Sequence, residues 1–72
     1  MAGYETGTTV EWDWGNGTAK GEVTERYTEK VTKTIEGNNI TRHASDDEPA
    51  YLIKQDDGSE VLKSDTEVRK TS

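Results

Sequence analysis

The 72-residue sequence has no cysteine and no phenylalanine, and only one histidine and one proline. Without cysteine there is no disulfide framework and no thiolate metal site. A single histidine excludes a histidine-rich metal cluster. No apolar run is long enough to span a bilayer, and the opening "MAGYETGTTV" lacks a basic region followed by an apolar one. The chain is therefore expected to be cytoplasmic and to have no membrane partner. Large aliphatic residues are scarce too: Val, Ile and Leu number ten of 72, below the ~20% usual in folded chains. Together with a net charge of −6, that composition taken alone permits disorder. The charge is uneven. Residues 44–60 carry six acids against Lys54, while residues 19–43 carry five cations and four anions. An acidic chain binds nucleic acid poorly without specific contacts, because phosphate neutralisation supplies most of that affinity.

What is present is a pattern of turns. Short segments rich in Val, Ile, Thr, Trp and Tyr are separated by Asn-Gly, Gly-Asn and Asp-Gly pairs, which tolerate the positive φ of two-residue hairpin turns. No segment has a sustained helical period. The reading is a single all-β domain over residues 1–72, built from successive hairpins, with residues 1–7 and 70–72 expected to be flexible. Centring the first turn on Asn16-Gly17 sets Trp14 opposite Ala19, Trp12 opposite Gly21 and Val10 opposite Val23. Each tryptophan then has a small residue across from it, so that an indole can lie over the facing backbone. Trp12 reads as core. Trp14, next to the turn, reads equally as core or as a ligand-facing ring.

Centring the last turn on Asp57-Gly58 sets Ile53 opposite Leu62. The run Tyr51-Leu52-Ile53 is apolar at consecutive positions, as in a barrel strand covered on both faces. The tail suggests a turn at Ser64-Asp65 and a final strand holding Val68. An extra hairpin lies near residues 29–44. Centred on Gly37-Asn38, it sets Ile35 opposite Ile40 and Thr34 opposite Thr41. It also sets Lys33 opposite Arg42, and like charges directly opposite are destabilising. Either a nearby glutamate neutralises the pair or an anionic partner binds there.

The motifs for chemistry are weak. "GNGTAKG" lacks the spacing of a phosphate loop and has no helix after it. "SDDE" at Ser45–Glu48 matches a capping box, but Pro49 and a strand-like run follow at once, so one helical turn is the most it can form. The Asp46-Asp47-Glu48 run and the Asp56-Asp57 pair lack the spacing of a calcium loop. His43 and Ser45 would share a strand face, with no third group to orient them. No catalytic residue, metal or cofactor is expected.

The final third, "YLIKQDDGSEVLKSDTEV", resembles the strand–turn–strand signature of Tudor domains. The pieces "VEWDWGNGTAKGEV", "KVTKTIEGNNITRHAS", "PAYLIKQDDGSEVLK" and the closing "EV" resemble the hypervirulence-associated Tudor-like domain family across nearly the whole chain. That resemblance implies a small SH3-like or Tudor-like β-barrel of the kind found in bacterial and some fungal proteins. It carries no established biochemical activity with it. Tudor domains that read methylated lysine or arginine surround the cation with aromatic rings. Here Gln55 and Asp57 stand where such rings often lie, and only Trp14, Tyr27 and Tyr51 are left to form a cage.

The expected function is a non-catalytic binding or interaction module. Its candidate ligand-binding residues are Trp14, Tyr27, Tyr51, Lys33 and Arg42, and its partner is an unknown protein or peptide. The expected state is a monomer or weak homodimer. One alternative is a nucleic-acid-associated barrel using Lys20, Arg26, Lys30, Lys33 and Arg42 with Trp14 and Tyr27, which the net charge disfavours. The other is a structural or oligomerisation module joined through a free hairpin edge.

Overall fold

The computed structural model describes residues 3–71; Met1, Ala2 and Ser72 lie outside the described residues. Among the described residues, seven strands run in chain order: β1 Thr9–Trp14, β2 Gly17–Tyr27, β3 Val31–Ile35, β4 Asn38–Arg42, β5 Ala50–Gln55, β6 Glu60–Ser64 and β7 Arg69–Lys70. A 3-10 turn, Asp65–Glu67, separates β6 from β7. Five strands form one sheet in the order β6-β5-β2-β1-β7, and β3 and β4 form a separate ribbon, which is the extra hairpin. All pairings are antiparallel.

The chain's own connectivity forces the sheet to curl. Strands β6 and β7 are its two edges, and a flat five-stranded sheet would hold them about 19 Å apart. Only residues 65–68 connect them, three of those in a 3-10 turn, and their reach is about 13 Å. The sheet therefore rolls into a small barrel. Val10, Trp12, Val23, Tyr51, Ile53 and Val68 fill it, with Tyr4, Ala19 and Val61 packed against them. Tyr51, Leu52 and Ile53 are all buried, as the unbroken apolar run implied.

The registers differ from the sequence reading in three places. The first turn is Gly15-Asn16, not Asn16-Gly17: Trp14 pairs with Gly17, Trp12 with Ala19 and Val10 with Gly21. Gly15 takes the positive φ of 55°, so Asn16 is spared one. A shift of two keeps every side chain on its face and changes only its neighbours. The middle turn is Glu36-Gly37, with φ of 51° and 81° at its two central residues, the signature of a type I′ turn. Lys33 now pairs with Ile40, and Arg42 with Val31. The direct Lys33–Arg42 opposition does not exist. A positive φ at a non-glycine residue costs about 1–2 kcal/mol. This register offsets that cost by separating the two cations and by joining Thr32 to Thr41 and Thr34 to Asn39 through side-chain hydrogen bonds of 2.8 Å.

The last hairpin has a three-residue loop, Asp56–Gly58, closed by Gln55 N–H to Ser59 O at 2.8 Å, with Gly58 at φ 88°. One extra loop residue flips the partner strand. Ile53 therefore faces Val61 in the barrel, and Leu52 faces Leu62 on the outer side, where Ile35 and Ile40 of the ribbon approach Leu62. The "SDDE" segment forms no helix. Ser45 Oγ accepts from Glu48 N–H at 3.2 Å, as a cap would, and the chain turns into β5. The working capping contact lies instead at the tail, where Glu67 accepts from Ser64 N–H at 2.8 Å.

Strand β2 is shaped by a glycine and a bulge. Gly21 lies between β1 and β5, paired with Val10 and Gln55. A Cβ placed there would lie 2.6 Å from Lys54 O and 2.7 Å from Ile53 Cγ2. The space is taken by β5, not by Trp12. Two residues on, the pairing slips between Val23 and Glu25. This bulge reverses the alternation. Tyr27 is thereby re-aimed to the ribbon side, and Arg26 pairs with Tyr51.

Both ends of the described stretch are hydrogen-bonded into the barrel, and the flexibility expected of residues 1, 2 and 72 falls outside the described residues. Gly7 N–H donates to Val23 O at 2.7 Å, and Thr71 N–H donates to Thr9 O at 3.1 Å.

Gly21→Ala is expected to destabilise the protein by about 1–3 kcal/mol, because the added methyl meets backbone. Gly17→Ala, where a Cβ meets nothing within 4 Å, should change stability by less than about 0.5 kcal/mol. Urea melts of the two variants measure the contrast. Equal midpoints would show that β2 and β5 do not approach this closely.

Candidate functional site

The face that fills the barrel continues past its end. Trp12 and Trp14 are two residues apart on β1 and so point to the same side. Trp12 lies inside and is 2% exposed. Trp14 lies one step beyond and is 72% exposed, the exposed large hydrophobic side chain among the described residues. Its partner across the strand is Gly17, which offers no side chain to cover it. The two indoles, with Ala19, Gln55, Val61 and Lys63, line a cleft of about 380 Å³ at the barrel mouth.

Each rim residue is held by its own contacts. Gln55 Oε1 is 2.9 Å from Ser59 Oγ, which bonds Asp57 Oδ1 at 2.6 Å. The Ser59 hydroxyl and backbone N–H hold the Asp57 carboxyl below its ordinary value. Lys63 Nζ lies 6.0 Å from the Trp12 ring centroid and 4.0 Å from Glu67 Oε2.

Glu67 is more tightly engaged elsewhere. It accepts from Arg42 Nε at 2.8 Å and from Arg42 Nη2 at 3.4 Å. Burial pushes the Glu67 carboxyl up, but Arg42, the Ser64 N–H and Lys63 together hold it below the usual carboxylate value. This two-point grip fastens β4 to the turn after β6.

The five candidate residues do not converge. Trp14 stands at the barrel mouth. Tyr51 is 0% exposed and belongs to the core. Its O–H donates to Asp65 Oδ1 at 2.6 Å and accepts from Tyr4 N–H at 2.8 Å. Burial and the Asp65 bond push its pKa up to about 12. Tyr27 and Lys33 do meet, on the ribbon side: the ammonium lies 5.2 Å from the ring centroid. Arg42 is committed to Glu67.

An aromatic cage is therefore absent from these positions. Tyr51 is covered, and the chain's own Lys33 takes the cation position over Tyr27. Sequence reasoning missed Gln55, Val61 and Lys63 as cleft residues. For Val61 and Lys63 the one-residue error in the last hairpin hid the signal. Beside this cleft a second one of about 230 Å³ runs between the ribbon and β6 and shares Val61 and Lys63 with it. His43 is exposed and, among the described residues, shares no hydrogen bond with Ser45.

Comparison with known proteins fits this barrel. The family model of the Tudor domain of hypervirulence-associated proteins matches residues 7–68. The chain belongs to that family. The match covers β1 through Val68, so it includes every residue lining the barrel-mouth cleft. No curated protein and no solved structure matches. Among the described residues, no helix is long and apolar enough to cross a membrane.

Two measurements check this geometry. Trp12→Ala should cost about 3–5 kcal/mol, whereas Trp14→Ala should stay within about 0.5 kcal/mol of the parent. Comparable losses in denaturant melts would mean that both rings are core.

The second check uses Tyr51, which is more acidic unfolded, near pH 10, than folded, near pH 12. Its contribution is fully present below pH 10 and is lost as pH rises through about 12. Tyr51→Phe should cost about 1–3 kcal/mol at pH 7 by stranding the groups around the hydroxyl. It should also flatten the loss of stability between pH 10 and 12 relative to the parent. An identical alkaline slope in the two proteins would contradict the buried hydroxyl.

Proposed function

We propose that this Tudor-like domain is a non-catalytic binding module whose ligand seat is the barrel-mouth cleft around Trp14. The observation that carries this reading is the exposure of Trp14 beside a concave, partly apolar surface. Exposing an indole to water is unfavourable unless something covers it, and tryptophan is the side chain most often found at the centre of binding hot spots. The cleft sits at the small end of the range for ligand sites. That suits a side chain or short segment of a partner protein better than a whole metabolite. His43 and Ser45 lack the mutual contact that a nucleophile and its base need, which supports the non-catalytic reading.

Reading of methylated cations has less support. Only the two indoles border the cleft, and the Lys63 ammonium at its rim repels a second cation. The nucleic-acid reading is also the weaker one. Of its proposed cations, Lys20 stands opposite Glu11, Lys33 lies over Tyr27 and Arg42 is bound to Glu67. Cytoplasmic residence and a monomeric or weakly dimeric state belong to the same proposal.

Selection of displayed random peptides against the protein tests the reading. Enriched peptides should shift the Trp14 indole N–H resonance and lose most of their affinity for Trp14→Ala. Enriched peptides that bind this variant as well as the parent would place the site elsewhere.

A further inference from the structure

The cleft has a charge character opposite to that of the molecule. The protein carries a net charge of −6. Yet the residues lining the barrel mouth are Trp12, Trp14, Ala19, Gln55, Val61 and Lys63, and none is acidic. The acids Glu36 and Glu60 line the neighbouring cleft instead. Lys63 thus places a cation at the rim of an otherwise neutral, aromatic-walled recess.

That cation is incompletely satisfied. Its nearest carboxylate oxygen, on Glu67, is 4.0 Å away, beyond hydrogen-bond reach. Glu67 itself spends both its oxygens on Arg42 at 2.8 and 3.4 Å. The Lys63 side chain is 24% exposed. Its stem therefore lies along the protein while the ammonium keeps donors for an outside group.

We infer that the occupant of the cleft is a peptide segment carrying an apolar or aromatic side chain with a carboxylate next to it. The apolar side chain packs against the exposed Trp14 ring at the cleft, and the carboxylate meets Lys63. This inference rests on the barrel mouth being the ligand seat.

The negative net charge does not defeat it. At physiological ionic strength the Debye length is about 8 Å. Distant acids are screened, while an ammonium in contact, beside rings that exclude water, is not. The same arrangement disfavours a methylated lysine, which would bring a second cation to Lys63.

The test uses four acetylated, amidated pentapeptides with a central leucine. The leucine is flanked by aspartate, by asparagine, by lysine or by trimethyllysine. Binding is read from the Trp12 and Trp14 indole N–H resonances at 150 mM salt.

The aspartate peptide should bind about threefold or more tighter than the asparagine peptide. Lys63→Gln should abolish that difference, and Lys63→Glu should transfer the preference to the lysine peptide. The aspartate–asparagine comparison is made on the unaltered protein, so it stands even if a variant fails to fold.

Equal binding of the aspartate and asparagine peptides, with the indoles shifting for both, would overturn the carboxylate while leaving the seat in place. Tightest binding of the trimethyllysine peptide would overturn it in favour of a cation reader. If no peptide moves either indole, the seat and this inference fall together.

Discussion

At Gly21 the interior of the barrel uses the absence of a side chain. The backbone of β5 comes so near that a Cβ would sit 2.6 Å from Lys54 O and 2.7 Å from Ile53 Cγ2. Close approach here lets Ile53 enter the same interior as Val10, Trp12 and Val23. A domain this small buries only about 60% of its unfolded surface, so the contact of β2 with β5 is not one it can loosen. The bulge just beyond depends on it too. Once β5 is fixed, the extra residue Thr24 must leave the ladder, and its Oγ1 donates to Leu52 O at 3.1 Å. Tyr27 is turned to the ribbon as a consequence.

The two ends of the barrel are finished differently. At one end the Tyr51 hydroxyl joins Tyr4 N–H and Asp65, tying the N-terminal segment to the turn after β6. Every polar atom of that ring is used, so it has nothing to offer a ligand. At the other end Trp14 has glycine across from it and nothing above it. A marginally stable domain gains little by leaving its largest side chain in water. The proposed ligand seat rests on that exposed indole, on the face that is core one step earlier.

Electrostatic roles were redistributed by register. The sequence sets Lys33 opposite Arg42, to be neutralised by a nearby glutamate or met by an anionic partner. In the fold each has its own partner: Tyr27 for Lys33, Glu67 for Arg42. The Arg42–Glu67 bond is partly exposed, and such pairs contribute at most about 1 kcal/mol. Its larger effect is to engage Glu67, which leaves Lys63 as the cation with donors to spare at the cleft.

The sequence by itself determined the all-β class, the three hairpins, the covered run Tyr51–Ile53 and the burial of Trp12. Each follows from local chemistry: turn dipeptides, β-branched residues and an apolar run with no polar side. It did not determine registers. "WGNG" offers two adjacent turn centres, and which residue takes the positive φ depends on how β1 and β2 pair over their full length. "QDDGS" hides a three-residue loop, and one residue more or less reverses a strand. The bulge at Thr24 has no local signature at all. Those three choices placed Val61 and Lys63 beside the tryptophans and turned Tyr27 away from them. They belong to the tertiary structure because each is fixed by how closely β5 packs on Gly21 and by the short link that rolls the sheet closed.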